Sequence, residues 1–163
     1  MTARRVIIAL GSPRKKGNST ILAHRVADGV REAGADVELF YLHGMDIKPC
    51  DGCDACLKEN TKGCHIKDDM QALYPKLHEA DAWVIASPIY WFTVSAQTKL
   101  FMGRCYALNM KWDNTFKNKR IGIILTYGGS DPFNSGAINA TRTFQDAFTD
   151  SQDEGLSGDN SSR

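Results

Sequence analysis

The sequence predicts an α/β fold, a three-layer sandwich built round a parallel sheet. Short apolar, β-branched runs at 5–10, 37–42, 82–86 and 120–125 alternate with stretches of helical periodicity. Such alternation gives βαβ units, which require a parallel sheet with right-handed crossovers. The length of 163 residues, 42% of them apolar, suits one domain with its own core.

The first strand is Arg5–Leu10, and it runs into the turn Gly11-Ser12-Pro13-Arg14-Lys15-Lys16-Gly17-Asn18-Ser19. Leu22, Val26, Val30 and Ala33 then share one helical face, and Gly34 is the expected C-cap. Val37–Leu42 forms the second strand, followed by a cysteine-rich loop over 49–65. A helix starts at Asp68-Asp69, cap and first-turn acid, with Met70, Leu73, Leu77 and Ala80 in phase. Pro75 lies inside it and should kink or split it. Ala82–Ala86 is apolar throughout, as a central parallel strand should be. The loop Ser87–Ser95 leads into a helix carrying Leu100, Phe101 and Leu108. The fourth strand, Arg120–Leu125, ends at Thr126-Tyr127-Gly128-Gly129, and a last helix spans about 137–148. A fifth strand is expected next, but residues 150–163 offer only Leu156 as an apolar side chain. That tail reads as solvated and disordered beside a domain at 1–149. Either the sheet stops at four strands, in the order 2-1-3-4, or the C-terminus departs from the usual pattern.

Net charge is +1, which gives no compositional support for nucleic-acid or membrane binding. Val6–Leu10 is too short for a signal-peptide core or a membrane span, so the expected location is cytoplasmic. Thiols stay reduced there, and clustered cysteines then point to metal or redox chemistry.

Open parallel sheets bind ligands beyond the carboxyl ends of their strands, where the strand order reverses. In a flavodoxin-like sandwich that crevice lies between strands one and three. The loop after strand one suits a phosphate. It offers Ser12, Arg14, Gly17, Asn18, Ser19 and Thr20 at a helix N-terminus, where free N–H groups favour an anion. Lys16 stands where a Walker loop needs Gly, and Pro13 excludes G-x-G-x-x-G. The plainer alternative is a Gly-rich turn capped by Asn18 or Ser19. The loop after strand three sets Pro88, Ile89, Tyr90, Trp91 and Phe92 in an uncharged row suited to a flat neutral ring. These aromatics could equally serve a core or an oligomer interface. Tyr127, Gly128 and Gly129 leave the adjacent strand, and glycine there lets backbone approach a ring. A monophosphate joined to a flat ring on such a sheet is FMN.

Four of the five cysteines, Cys50, Cys53, Cys56 and Cys64, are spaced C-x2-C-x2-C-x7-C. A [4Fe–4S] cluster takes four thiolates at such spacing. Zinc more often pairs two C-x2-C units across a longer gap. A redox dithiol and a loop without metal also remain open. Gly52 and Gly63 suit a tight loop in every case. Cys105 reads as a small buried hydrophobe, and Trp83 and Trp112 as packing residues. His24, His43, His65 and His78 show no ligand spacing, and His65 reads as a solvent-facing loop residue. Lys15 and Lys16 read as a solvated basic turn.

The segments GSPRKKGNST, PCDGCDACLKENTKGCHIKDDM and SPIYWFTVSAQTKLFMGR resemble the NADPH-dependent FMN reductase family over roughly residues 4–148. Within it they are most similar to the iron–sulfur flavoproteins. The resemblance implies a flavodoxin-like fold with noncovalent FMN. Ser12, Arg14, Asn18, Ser19 and Thr20 match the family's phosphate loop, and Pro88 to Phe92 match the loop that touches the isoalloxazine. It further implies a homodimer or homotetramer with the flavin near an interface, and electron exchange between a [4Fe–4S] centre and FMN. The expected activity is an FMN-dependent oxidoreductase drawing on a ferredoxin or NAD(P)H, with no catalytic side chain. Alternatives are an NAD(P)H-dependent FMN or quinone reductase without a cluster, and a non-catalytic electron carrier.

Overall fold

The structure is a computed structural model that describes residues 4–58, 63–111, 115–116 and 119–153. Strand β1 (Arg5–Leu10) is followed by helix α1 (Asn18–Glu32), strand β2 (Asp36–Tyr41), the cysteine loop and helix α2 (Met70–Glu79). Strand β3 (Ala82–Tyr90) turns back into the short β4 (Thr93–Val94). Helices α3 (Ala96–Arg104) and α4 (Tyr106–Lys111), strand β5 (Arg120–Thr126) and helix α5 (Ala137–Asp153) complete the order. β1 pairs in parallel with β2 and β3, and β3 pairs in parallel with β5. The parallel order is therefore 2-1-3-5, which is the predicted order 2-1-3-4 counted over the parallel strands. Among the described residues no strand follows α5.

The central strands are buried on both faces, and their side chains alternate between two cores. Ile7, Ala9, Trp83 and Ile85 join the larger cluster with Leu73, Leu77, Phe101, Leu108 and Phe144, so α2 to α5 cover that face. Ile8, Leu10 and Ala86 join Ala23 and Ala27 of α1 on the other. The result is a three-layer sandwich with one helix on one side. Trp83 is fully packed, donating from Nε1 to the Leu77 carbonyl (3.0 Å) and meeting Phe116 edge to face. Cys105 is buried as expected, and burial pushes its thiol up. Trp112 lies outside the described residues.

Four expectations need correction. α1 buries Ser19, Thr20, Ala23 and Ala27, whereas Leu22 and Val26 are exposed. The sheet presents bulky Ile8 and Leu10 here, so close packing selects the small residues of the helix rather than its largest apolar ones. β3 runs four residues past Ala86, because Ser87–Tyr90 goes on pairing, first with β5 and then with β4. α2 is a single helix despite Pro75, since Met70, Leu73, Tyr74 and Leu77 anchor both sides of the proline in the core. α5 continues to Asp153, so residues 150–153 are helical. The remainder of the polar tail lies outside the described residues.

The reassigned α1 face makes a testable contrast. Replacing Ala23 by Leu should cost about 1–3 kcal/mol by overpacking. Leu22→Ala should change stability by no more than about 0.5 kcal/mol. Urea denaturation of the two variants checks both, and the opposite ranking would restore the face read from periodicity.

Candidate functional site

Strand register brings three exit loops side by side. Leu10 pairs with Ala86, so Gly11 leaves the sheet beside Ser87, where β3 continues. Pro88 pairs with Thr126, which sets Tyr127 beside Ile89. The loops are joined by buried hydroxyls. Gly11 N–H donates to the Ala86 carbonyl (2.8 Å) and the Ser95 hydroxyl to the Gly11 carbonyl (2.7 Å). Ser95 N–H donates to the Ser87 hydroxyl (3.0 Å), while Ser95 Oγ lies 2.9 Å from Thr98 Oγ1 and caps α3 by accepting from Thr98 N–H. Gly11 is obligatory for this closeness: a Cβ there would lie 1.9 Å from Thr98 Oγ1.

The first loop is shaped to leave a helix N-terminus open. Gly17 is the N-cap of α1 and gives no side-chain capping bond, so Asn18 is the first helical residue and neither Asn18 nor Ser19 is the cap. The Ser12 hydroxyl accepts from Arg14 N–H (3.1 Å), and Thr20 Oγ1 and Gly17 N–H both donate to the Arg14 carbonyl. Tyr41 clamps the turn from β2 by donating to the Pro13 carbonyl (2.6 Å). Ser12, Ser19 and Thr20 are buried, whereas the Arg14, Lys15, Lys16 and Asn18 side chains are exposed round the rim. A polar, uncapped N-terminus ringed by cations is an anion site in its chemistry.

The aromatic row forms the tip of the β3–β4 hairpin. Trp91 and Phe92 have φ of 49° and 68°, the two positive values that a type I′ turn requires. Asn-Gly normally occupies such a turn, and two aromatic residues there are strained. Gly136 packs so closely beneath that a Cβ would lie 2.3 Å from Phe92 Cα, and Asn139 donates to the Phe92 carbonyl (3.2 Å). Trp91 is 92% exposed and Tyr90 and Phe92 are also exposed, so these rings are not core. Tyr127, Gly128 and Gly129 lie exposed next to them, and a Cβ on Gly128 would meet open space.

The cysteine loop is a separate centre. Gly52, Asp54 and Gly63 take positive φ and fold it tightly. Cys50, Cys53, Cys56 and Cys64 all line one small pocket, backed by Gly103, Arg104, Tyr106 and Ala107. Burial raises the Cys56 thiol above its ordinary value, and the neighbouring Cys64, Cys50 and Cys53 add to the rise. Four cysteines lining one small pocket match an iron–sulfur cluster in donor set. Asp51, Cys53 and His65 also hold ligand atoms within 4.8 Å of one another at the exposed rim. His65 Nε2 meets Asp51 at 2.9 Å, so it is a paired rim residue rather than a free one. Its partners hold the Asp51 carboxyl low, through hydrogen bonds to Cys53 first and His65 next.

Asp68 and Asp69 do more than start a helix. The Asp68 side chain is buried, accepting from Met70 N–H (3.1 Å), Lys48 N–H (2.9 Å) and the Arg104 guanidinium, while Asp69 accepts from Asp46 N–H (2.8 Å). Burial alone would raise the Asp68 carboxyl, but the Arg104 hydrogen bonds and charge outweigh it and hold the group below 3.8. Ser95, Thr98, Arg104, Tyr74 and Gly136 carry no mark in the sequence as site residues. Only Ser95, a serine directly before a helical pattern, offered a signal, as an N-cap. His78 meets Thr115 (2.9 Å), and His43 meets Gln97 (3.0 Å) and packs edge to face on Tyr41. No helix among the described residues is long and apolar enough to cross a membrane.

Comparison with known proteins matches residues 4–148 to the model of the family described as NADPH-dependent FMN reductase. An iron-sulfur flavoprotein of Archaeoglobus fulgidus is 40% identical over 119 residues, covering 73% of this chain and 59% of that protein. An iron-sulfur flavoprotein of Methanocaldococcus jannaschii is 35% identical over 126 residues, covering 77% of this chain and 63% of that protein. The chain thus spans about three-fifths of the length of these relatives. The NAD(P)H:quinone oxidoreductase of Methanothermobacter marburgensis superposes with a TM-score of 0.62 at 15% identity, covering 90% of this chain and 77% of that one.

Two substitutions test the geometry. Gly11→Ala should cost about 3 kcal/mol or more through the clash with Thr98, and adding Thr98→Ala should recover part of it; a stable single variant would contradict the stitched exits. Asp68→Asn should cost about 3–5 kcal/mol at pH 7 by stranding the Arg104 charge. Because folding depresses the Asp68 carboxyl, its contribution is complete above the ordinary value of 3.8 and fades as pH falls through the folded one. The urea midpoints of wild type and Asp68→Asn should therefore converge on going from pH 7 to pH 3.

Proposed function

Because this chain belongs to the NADPH-dependent FMN reductase family, we propose that it is an FMN-dependent oxidoreductase that passes electrons from a reduced donor to an acceptor, with a [4Fe–4S] centre in its cysteine loop. The observation that carries the proposal is the pairing of an uncapped, hydroxyl-lined helix N-terminus with an exposed aromatic hairpin one strand away. FMN, when bound, supplies two-electron chemistry with one-electron release, and the cluster supplies one-electron exchange. In this proposal Ser12, Arg14, Gly17, Asn18, Ser19 and Thr20 hold the phosphate. Pro88, Ile89, Tyr90, Trp91 and Phe92 border the ring on one side, and Tyr127, Gly128 and Gly129 on the other. Cys50, Cys53, Cys56 and Cys64 are the cluster ligands. The chain's own groups bind, orient and exclude water, and no side chain acts as nucleophile. The donor is a ferredoxin or NAD(P)H, the acceptor a quinone or a protein, and the working form a homo-oligomer in the cytoplasm.

A second arrangement has one specific observation in its favour. Asp51, Cys53 and His65 gather at the loop's rim with a donor set that suits a single zinc ion.

Absorption spectroscopy with iron, sulfide and zinc analysis on protein purified without oxygen tests both. Flavin bands with about four irons per chain are expected. Zinc in place of iron would select the second arrangement, and protein without flavin would sink the proposal. Arg14→Ala should weaken FMN binding about tenfold or more, the effect of losing one charged hydrogen bond; fluorescence titration with FMN reads it, and unchanged affinity would remove Arg14 from the phosphate site.

A further inference from the structure

Arg104 is the last residue of α3, and its side chain is 1% exposed at the back of the cysteine pocket. Its guanidinium grips the loop on both sides of the cysteines. Nη1 donates to the Lys48 carbonyl (2.9 Å), two residues before Cys50, and to Asp68 Oδ2. Nη2 donates to Asp68 Oδ1 (3.2 Å) and to Cys64 Sγ (3.3 Å). Below it, the buried Tyr74 hydroxyl donates to the Arg104 carbonyl (3.3 Å). One donor is left over: Arg104 Nε is the buried side-chain polar atom that has no partner among the described residues.

A buried ion pair is weak as a device for stability alone, since well-packed apolar residues often do as well. An unsatisfied buried N–H is costly, so its persistence behind the cysteine pocket asks for an acceptor. Hydrogen bonds to the sulfurs and nearby charge are among the factors that set iron–sulfur potentials. A cation with fixed N–H donors stabilises the more negative, reduced form.

We propose that Arg104 is a positioning residue of the cysteine centre, clamping both ends of the loop, donating to the Cys64 sulfur and holding its Nε–H for a second sulfur acceptor, and that it thereby raises the centre's reduction potential. This rests on the cluster reading given above. Reduction here adds one electron to the centre, supplied in the test by dithionite through mediators, and breaks no bond.

The test uses the full chain loaded with FMN and reconstituted without oxygen, as wild type, Arg104→Lys and the double variant Arg104→Gln with Asp68→Asn. Lysine keeps the charge opposite Asp68 but has no planar fork to reach Lys48, Asp68 and Cys64 together. The double variant removes both charges without stranding either, which keeps the test available should the single variant fold poorly. A mediated redox titration follows the iron–sulfur signal, and iron content is measured in parallel. The expected result is a midpoint shifted to lower potential in Arg104→Lys and further in the double variant, with the flavin midpoint and FMN affinity unchanged. The midpoint belongs to the loaded fraction, so partial iron loss does not mask it. Loaded variants that titrate with the wild-type midpoint overturn the role of Arg104. Wild-type protein that takes up no iron overturns the cluster reading instead, and the two failures are thereby distinct.

Discussion

The approach of Gly11 to Ser95 and Thr98 is the constraint on which the crevice depends. Three buried hydroxyls, from Ser87, Ser95 and Thr98, replace the solvent that strand exits would otherwise need, and they do so across 84 residues of chain. Ser95 is the node: its hydroxyl donates to the Gly11 carbonyl, its N–H to the Ser87 hydroxyl, and Thr98 meets its oxygen, so the exits are tied through one residue. The loop after β1 and the aromatic hairpin are then held relative to each other by covalent geometry plus this one patch of polar core. Any side chain larger than hydrogen at position 11 opens the patch.

The same helix carries the second centre. α3 starts at the Ser95 cap, inside the hydroxyl network, and ends at Arg104, inside the cysteine clamp. Its nine residues make a strut of roughly 13 Å at 1.5 Å per residue. Both ends are fixed by buried polar contacts and the middle by Phe101 and Met102 in the core. The two centres are thus spaced by a rigid element rather than by a loop. They differ in physics: one is built from hydroxyls and open N–H groups suited to an anion, the other from cysteine side chains backed by a buried cation that donates to one of them.

The parts of this design that show in the linear chain are those whose signal is local. Arg5–Leu10 reads as a buried strand because every residue from Ile7 onward is apolar, and the parallel sheet follows from alternation, while its order comes from the flavodoxin-like pattern. The cysteine spacing and the Gly-rich turn are local as well. α1 misleads because periodicity weights Leu22 and Val26 over Ala23 and Ala27, while packing against Ile8 and Leu10 rewards small size. The extension of β3 is hidden by Pro88 and by a hairpin turn that lacks the usual Asn-Gly. Arg104 reads as an ordinary helix cation, for its partner Asp68 lies 36 residues away and looks like a helix-start acid. Distance along the chain, rather than weakness of the interaction, is what conceals the residues that hold both sites in place.

The Trp91–Phe92 turn runs against the local preferences of the chain. Two bulky residues in the left-handed region cost on the order of 1–3 kcal/mol each. Asn-Gly at these positions would relieve that cost without loss of hairpin pairing. The structure instead supports the strained pair with Gly136, itself at φ +82°, pressed against Phe92, and with a hydrogen bond from Asn139. The support does not bury the rings, since Trp91 stays 92% exposed. A hydrophobic side chain kept strained and solvated gains nothing for folding on its own. Exposed ring faces of this kind are available to a ligand or to a second subunit, and the register places them beside the loop with the open helix N-terminus.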